Sequence, residues 1–229
     1  MEKLLGHALE EQVKHRTLSY IAEGVGKFPK SVSNSIFTQI SGCTQCPLYQ
    51  SRKRVLVSPT VAQKKFFVLS EFPTLEDENS QSEFLYAEKS PSGLIVKLLE
   101  KLSLLQDCHF SFALKCVPEK GIPATSLSTC AKNNLKLELH AINPEVILCF
   151  GSRSLLALAQ LEPSLLNAHL SENSSVLTAN FGKTSENHPT NIYFLSSSGD
   201  LQAFPHWRSQ VWRFLEHFKT EYNPAVKNK

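Results

Sequence analysis

Short apolar runs alternate along the chain with stretches in which apolar positions recur every three or four residues. The runs predict β-strands and the recurring positions predict amphipathic helices. Strands are predicted at residues 66–69, 110–114, 146–150, 176–179 and 192–195. Helices are predicted at residues 3–24, 92–104, 127–142, 152–161 and 204–218. This alternation is typical of an α/β fold, with a mostly parallel sheet between layers of helices.

The 229 residues suffice for one sizeable domain, and the chain contains no internal repeat. We expect a helical extension over residues 1–40, an α/β domain over residues 41–219 and a flexible tail over residues 220–229. A serine-rich connection is expected between the first helix and the first cysteine. Parallel sheets bind ligands beyond the carboxyl ends of their strands. The segments predicted there are Ser70–Asp77, Lys115–Pro123, Gly151–Arg153 and Ser196–Gly199.

Composition adds little to this outline. No run of 18 or more apolar residues occurs, and the charged N-terminus lacks the features of a signal peptide. We therefore expect a cytoplasmic monomer that is not associated with a membrane. The net charge of +3 permits nucleic-acid binding without requiring it. Basic residues cluster at Arg52-Lys53-Arg54, and we take Arg52, Arg54 and Lys115 as candidate phosphate contacts.

Four of the six cysteines have a spacing that suggests a metal centre. Cys43 and Cys46 form a C-x-x-C pair, whereas thirteen residues separate Cys116 from Cys130. A redox dithiol is disfavoured because Pro47 follows the pair directly and no predicted strand precedes it. Four thiolates suit either zinc or an iron–sulfur cluster. The other two cysteines are not predicted to be ligands. Cys149 lies in an apolar strand as a small hydrophobic residue, and Cys108 has no evident role.

The segment Cys43–Arg52 resembles the opening motif C-x-x-C-x-L-x-x-x-R of the iron–sulfur uracil-DNA glycosylases of family 4. Later segments resemble further motifs of that family in the same order. They are Leu69–Asp77 for V-G-E-x-P-G-x-x-E-D, Glu83–Leu85 for P-F-V, Ser92–Leu94 for S-G-x-L-L, Lys115–Pro118 for K-C-R-P and Ile142–Gly151 for a strand ending in L-G. The resemblance covers roughly residues 40–218. It implies a three-layer sandwich with a central four-stranded, mostly parallel sheet.

The same resemblance implies a [4Fe–4S] cluster held by Cys43, Cys46, Cys116 and Cys130. It also implies a place in DNA repair, in which the enzyme hydrolyses the N-glycosidic bond of uracil. Glu71 and Asp77 match the catalytic motif, and Phe84 matches the aromatic residue that stacks on the flipped base. Two alternatives stay open on the residues themselves: an acidic loop cap at Glu76-Asp77 and a core position for Phe84.

Several positions depart from the family pattern. The asparagine that reads the uracil edge is replaced by Phe112, and the histidine that stabilises the leaving base is replaced by Ser198. Ser70 and Thr74 stand where the family has glycines. His188 and His206 are candidates for a displaced histidine. We therefore expect a divergent relative with little or no activity, acting as a DNA- or protein-binding module; the alternative is an active uracil-DNA glycosylase.

Overall fold

The computed structural model describes residues 30–59, 63–80, 85–167, 176–179, 181 and 189–222. Its contacts divide the chain into two units, Met1–Ser31 and Val32–Lys229, and the second unit contains the sheet and all six cysteines. The predicted helix at residues 3–24, Phe84 and His188 lie outside the described residues.

The sheet has five strands in the order β2-β1-β3-β5-β4. They are β1 (Phe66–Ser70), β2 (Cys108–Phe112), β3 (Val146–Phe150), β4 (Val176–Ala179) and β5 (Thr190–Leu195). Strands β2, β1, β3 and β5 are parallel, and β4 is antiparallel to β5 at the edge. The prediction of an α/β fold with a mostly parallel sheet is confirmed. The expected count of four strands is wrong, because β4 adds a fifth strand beside β5.

Eight helices are named among the described residues. They are α1 (Lys30–Ser41), α2 (Leu75–Asn79), α3 (Pro91–Lys101), α4 (Ser126–Cys130), α5 (Lys136–Ile142), α6 (Ser152–Ala159), α7 (Ser198–Ala203) and α8 (Pro205–Tyr222). A π-helical turn, Ala131–Leu135, joins α4 to α5 without a break. Short 3₁₀ helices occur at Pro47–Gln50 and Leu105–Asp107. Helix α1 occupies the expected serine-rich connection, so that prediction is wrong.

Helices cover both faces of the sheet. Successive strand residues point to opposite sides, and both sides carry apolar side chains that pack on helices. Phe66 and Val68 of β1 belong to one apolar cluster, with side chains from α3, α7 and α8. Phe67 and Leu69 belong to the other cluster, with side chains from the α4–α5 helix and α6. Within the described residues, we find no helix with the length and apolar character needed to cross a membrane.

Helix α8 continues past the predicted end at residue 218. Tyr222 in its last turn packs on Phe66 and Phe218, with ring centroids 5.9 and 4.6 Å away. Its hydroxyl accepts a hydrogen bond from Asn191 Nδ2 at 3.1 Å. The first residues assigned to a flexible tail are therefore helical, because an aromatic anchor fixes them to the sheet.

Candidate metal centre

The C-x-x-C pair occupies a turn between α1 and the first 3₁₀ helix. The backbone N–H of Cys43 donates to the carbonyl of Ile40 at 3.1 Å, so the chain turns directly after α1. Cys46 precedes Pro47 at the N-cap of the 3₁₀ helix and has extended backbone angles. Both cysteines are partly exposed. Leu48, one turn later, is buried against Cys116 and Cys130 and holds this turn to the domain.

Cys116 and Cys130 form the buried side of the same region, and each is 6% exposed. Cys116 follows β2 by four residues, and the Leu56 N–H donates to the carbonyl of the preceding Lys115 at 2.7 Å. Cys130 is the last residue of α4. The two thiols share a small apolar cluster with Leu48 and Leu114.

The four predicted ligands line a single small cavity that is partly open to solvent. The rest of its wall comes from nearby residues of the same segments, namely Gln45, Arg52, Val55, Lys115, Thr129 and Asn134. Three separate segments of the chain thus place their thiols around one cavity. Cys108 and Cys149 do not line this cavity and are buried in the two sheet-face clusters instead.

Among the described residues, no three His, Cys, Asp or Glu side chains are placed to hold one metal ion. A tetrahedral zinc ion with Zn–S bonds of about 2.3 Å requires sulfur atoms about 4 Å apart. The thiols that line the cavity do not form such a group. Four cysteines around a shared space are a ligand set that suits either zinc or an iron–sulfur cluster.

Nitrogen donors surround the sulfur atoms. Arg52 Nη1 lies 3.5 Å from Cys116 Sγ, and Asn134 Nδ2 lies 3.5 Å from both Cys43 Sγ and Cys130 Sγ. Burial nevertheless raises the pKa of Cys116 to about 11, although Arg52 acts to lower it. Burial likewise raises the pKa of Cys130. A metal bound by these thiols would displace their protons, and the nitrogen donors would stabilise the resulting thiolates.

A buried polar network lies under the cavity. Lys115 is 1% exposed, and its ammonium group donates to Glu138 Oε2 and Ser111 Oγ. Burial acts to raise the pKa of Glu138, but Lys115 and His109 together outweigh it and the pKa is lowered. On the other side, His109 Nε2 lies 3.8 Å from Glu138 Oε1, and neither atom has a hydrogen-bond partner within the part of the chain that the structure describes. The surroundings of Lys115 do not favour the predicted phosphate contact, because its charge is buried and paired with Glu138.

The two predicted arginine contacts have different surroundings. The Arg52 guanidinium is directed at Cys116 and is part of the cavity wall. Arg54 is exposed, and its Nη2 donates to the carbonyls of Asp77 and Ser80 at 2.9 and 2.8 Å. Of the three predicted phosphate contacts, Arg54 is therefore the residue that faces solvent.

Both predicted catalytic carboxylates bind backbone N–H groups. Asp77 is fully buried; it accepts from the Thr74 N–H at 2.9 Å and the Ala87 N–H at 2.8 Å. Glu71 accepts from the Arg153 N–H at 2.9 Å, at the start of α6. A Cβ at Gly151, whose φ is +91°, would lie 2.5 Å from the Glu71 carboxyl carbon. Asp77 thus caps the loop, which is one of the two alternatives that the sequence allows, and both of its oxygens have partners.

Phe112 and Ser198, which stand at the asparagine and histidine positions of the family pattern, also have structural roles. Phe112 is fully buried, with its ring 4.6 Å from that of Tyr86. Ser198 begins α7, and the preceding Ser197 caps that helix by accepting from the Asp200 N–H at 3.1 Å. His206 lies in the exposed first turn of α8, 5.0 Å from the Trp207 ring. Its role as a displaced catalytic histidine stays a prediction.

Sequence reasoning alone does not single out Asn134 or Glu138. Asn134 follows Cys130 by four residues, a spacing that places both on one face of a helix. That spacing is a usable signal, since residues 127–142 are predicted to be helical. Glu138 carries no such signal, because its partner Lys115 is 23 residues away in another element.

No protein-family model matches the chain, and a search of curated proteins finds no significant relative. The resemblance to the iron–sulfur uracil-DNA glycosylases therefore rests on the order and spacing of the motifs in this sequence.

Proposed function

We propose that this chain is a [4Fe–4S] protein of the uracil-DNA glycosylase type whose cluster organises a binding surface and which does not excise uracil. The convergence of Cys43, Cys46, Cys116 and Cys130 on one cavity carries this proposal. Two of the thiols are partly exposed and two are buried, so the site is partly open to solvent on the C-x-x-C side.

A cluster is preferred to zinc here because the order and spacing of the cysteines resemble those of the iron–sulfur glycosylases. N–H donors face three of the four sulfurs. Hydrogen bonds to the sulfurs are among the features by which proteins tune iron–sulfur clusters. When bound, the cluster supplies a covalent cross-link between the turn after α1, the loop after β2 and the end of α4.

The site chemistry opposes uracil excision. A glycosylase needs a pocket for the flipped base, donors to its edge and a group that positions the attacking water. Phe112 places a fully buried ring at the donor position, and Asp77 has no exposed oxygen. Each lost donor of this kind typically costs about 10²–10³ in rate. A relative with these residues retains the fold and the cluster as a module that binds DNA or another protein.

The proposal is tested by replacing the cysteines one at a time with serine and measuring iron per chain after purification without oxygen. Cys116→Ser and Cys130→Ser remove buried ligands, and we expect the iron content to fall below about a tenth of the wild-type value. Cys108→Ser is the matched control, since Cys108 is also 6% exposed but lies outside the cavity. Equal iron loss in all three variants, or in none, would contradict the assignment.

A further inference from the structure

Asn134 is an unusual residue at the candidate metal centre. It lies in the middle of a continuous helix, where asparagine is less favourable than most residues. Its side chain is 5% exposed, whereas the neighbouring Asn133 is exposed. The segment that carries it is a π-helical turn, a rare conformation that is common at functional sites. A buried amide in such a place requires a compensating interaction.

The interaction in the structure is with two thiols. Asn134 Nδ2 lies 3.5 Å from Cys130 Sγ, four residues earlier on the same helix. The same nitrogen lies 3.5 Å from Cys43 Sγ, 91 residues earlier in the chain. An amide –NH₂ group has two N–H bonds, so it can donate to both sulfurs at once. Asn134 therefore connects a partly exposed ligand to a buried ligand.

We infer that Asn134 is a positioning residue that donates to the Cys43 and Cys130 sulfurs, raises the reduction potential of the bound cluster and slows its loss. This inference rests on the cluster proposed above. Reduction adds one negative charge to the cluster, and part of that charge resides on the sulfurs. Hydrogen bonds from N–H groups to the sulfurs are stronger when the sulfurs carry more charge, so the reduced form gains more than the oxidised form.

The test is a redox titration of anaerobically purified full-length protein, followed by its visible spectrum, on four forms. Asn134→Ala removes both donors, and Asn134→Leu removes them while conserving volume. Asn133→Ala is the matched control on the same turn. At the wild-type midpoint potential, we expect the oxidised-to-reduced ratio to rise about tenfold in both Asn134 variants, a shift of about 59 mV for a one-electron couple. Asn133→Ala should remain at the wild-type ratio.

Cluster retention gives a second readout. We expect an iron chelator to remove the cluster several-fold faster from both Asn134 variants than from wild type or Asn133→Ala. Loss of the cluster during purification from both Asn134 variants, with retention in Asn133→Ala, supports the same role. An unchanged potential and unchanged release rate would overturn the inference, as would a defect in Asn134→Ala that Asn134→Leu repairs, because packing alone would then explain it. Wild-type protein without iron would instead contradict the proposed function itself.

Discussion

At the scale of single residues, the most consequential feature outside the cysteines is the pair of charges buried beneath them. Lys115 and Glu138 are at most 1% exposed, and their charged groups are in direct contact. A buried ion pair contributes little to stability as a pair, because desolvation offsets the attraction between the charges. Removing one partner is costly, since the other charge stays buried without compensation.

We predict that Glu138→Gln lowers the free energy of unfolding by about 3–5 kcal/mol, because it leaves the Lys115 ammonium uncompensated. Urea denaturation under anaerobic conditions measures the change. The surface pair of Lys65 and Glu145 is the control: Glu145 is 65% exposed, and we expect Glu145→Gln to cost at most about 1 kcal/mol. The double variant Lys115→Met/Glu138→Leu should recover most of the loss. Equal costs for the two single glutamine variants would refute the role assigned to this pair.

How far the sequence predicts the site depends on whether a residue acts through local spacing. The four cysteines are recognisable because their order and spacing form a motif that can be read from the sequence alone. The surroundings of Lys115 cannot be predicted in this way, because lysine is almost always exposed and only the tertiary structure brings Glu138 to it. The loop cap at Asp77 is one of two interpretations, and only its contacts with Thr74 and Ala87 decide between them.

At the scale of elements, the start of helix α3 is fixed by a close approach of two backbone segments. Ser90 Oγ accepts a hydrogen bond from the Gly93 N–H at 3.2 Å, and Pro91 occupies the first turn. A Cβ at Gly93 would lie 2.7 Å from the Glu88 carbonyl oxygen and would also collide with the Ala87 carbonyl oxygen. The serine–glycine pair noted in the sequence therefore has a packing reason.

We predict that Gly93→Ala destabilises the protein by about 1–3 kcal/mol, because α3 must move away from the backbone at residues 87–88. Thermal unfolding of the two proteins measures the difference. Gly199→Ala in the first turn of α7 is the control, since a Cβ there has Ser197 Oγ as its nearest neighbour at 3.8 Å. We expect that substitution to change stability by no more than about 1 kcal/mol. A neutral Gly93→Ala variant would show that the contact relaxes freely.

Strands and helix ends at this scale differ in how well their sequence pattern predicts them. The predictions for β1 and β3 agree with the structure within one residue, because continuous apolar runs mark strands that are buried on both faces. Strand β2 begins at Cys108 instead of residue 110, because the buried His109 faces Glu138 and extends the strand into a polar stretch. The C-terminal extension of α8 likewise depends on the contacts of Tyr222 with β1 and β5.

At the scale of the whole molecule, the proposed cluster site and the carboxyl edge of the sheet differ in whether their predicted functional residues are available. All four predicted ligands line the proposed cluster site, whereas the segments after β1 and β3 are joined by the Glu71 carboxylate, which accepts from an N–H at the start of α6. Ser70 is 1% exposed and Phe112 is fully buried, so the residues expected to line a base pocket belong to the interior. This division favours a role in binding over one in catalysis.

We predict no measurable uracil excision from single- or double-stranded oligonucleotides in a single-turnover assay with enzyme in excess. Two lost donors, if independent, lower the rate by about 10⁴ or more. A binding titration with the same oligonucleotides separates a DNA-binding module from a protein-binding one. Arg54→Gln should weaken any DNA binding and reduce its salt dependence, since Arg54 is the exposed predicted contact. Excision within minutes would restore the alternative of an active glycosylase, with His188 and His206 the first residues to replace.

The central claim is that the four converging cysteines hold an iron–sulfur cluster. The most direct measurement is the iron, zinc and acid-labile sulfide content of wild-type protein purified without oxygen, together with its visible spectrum. We expect about four irons and about four sulfides per chain, with a broad absorption band at about 400 nm that bleaches on reduction. A colourless protein that contains one zinc per chain and no sulfide would contradict it.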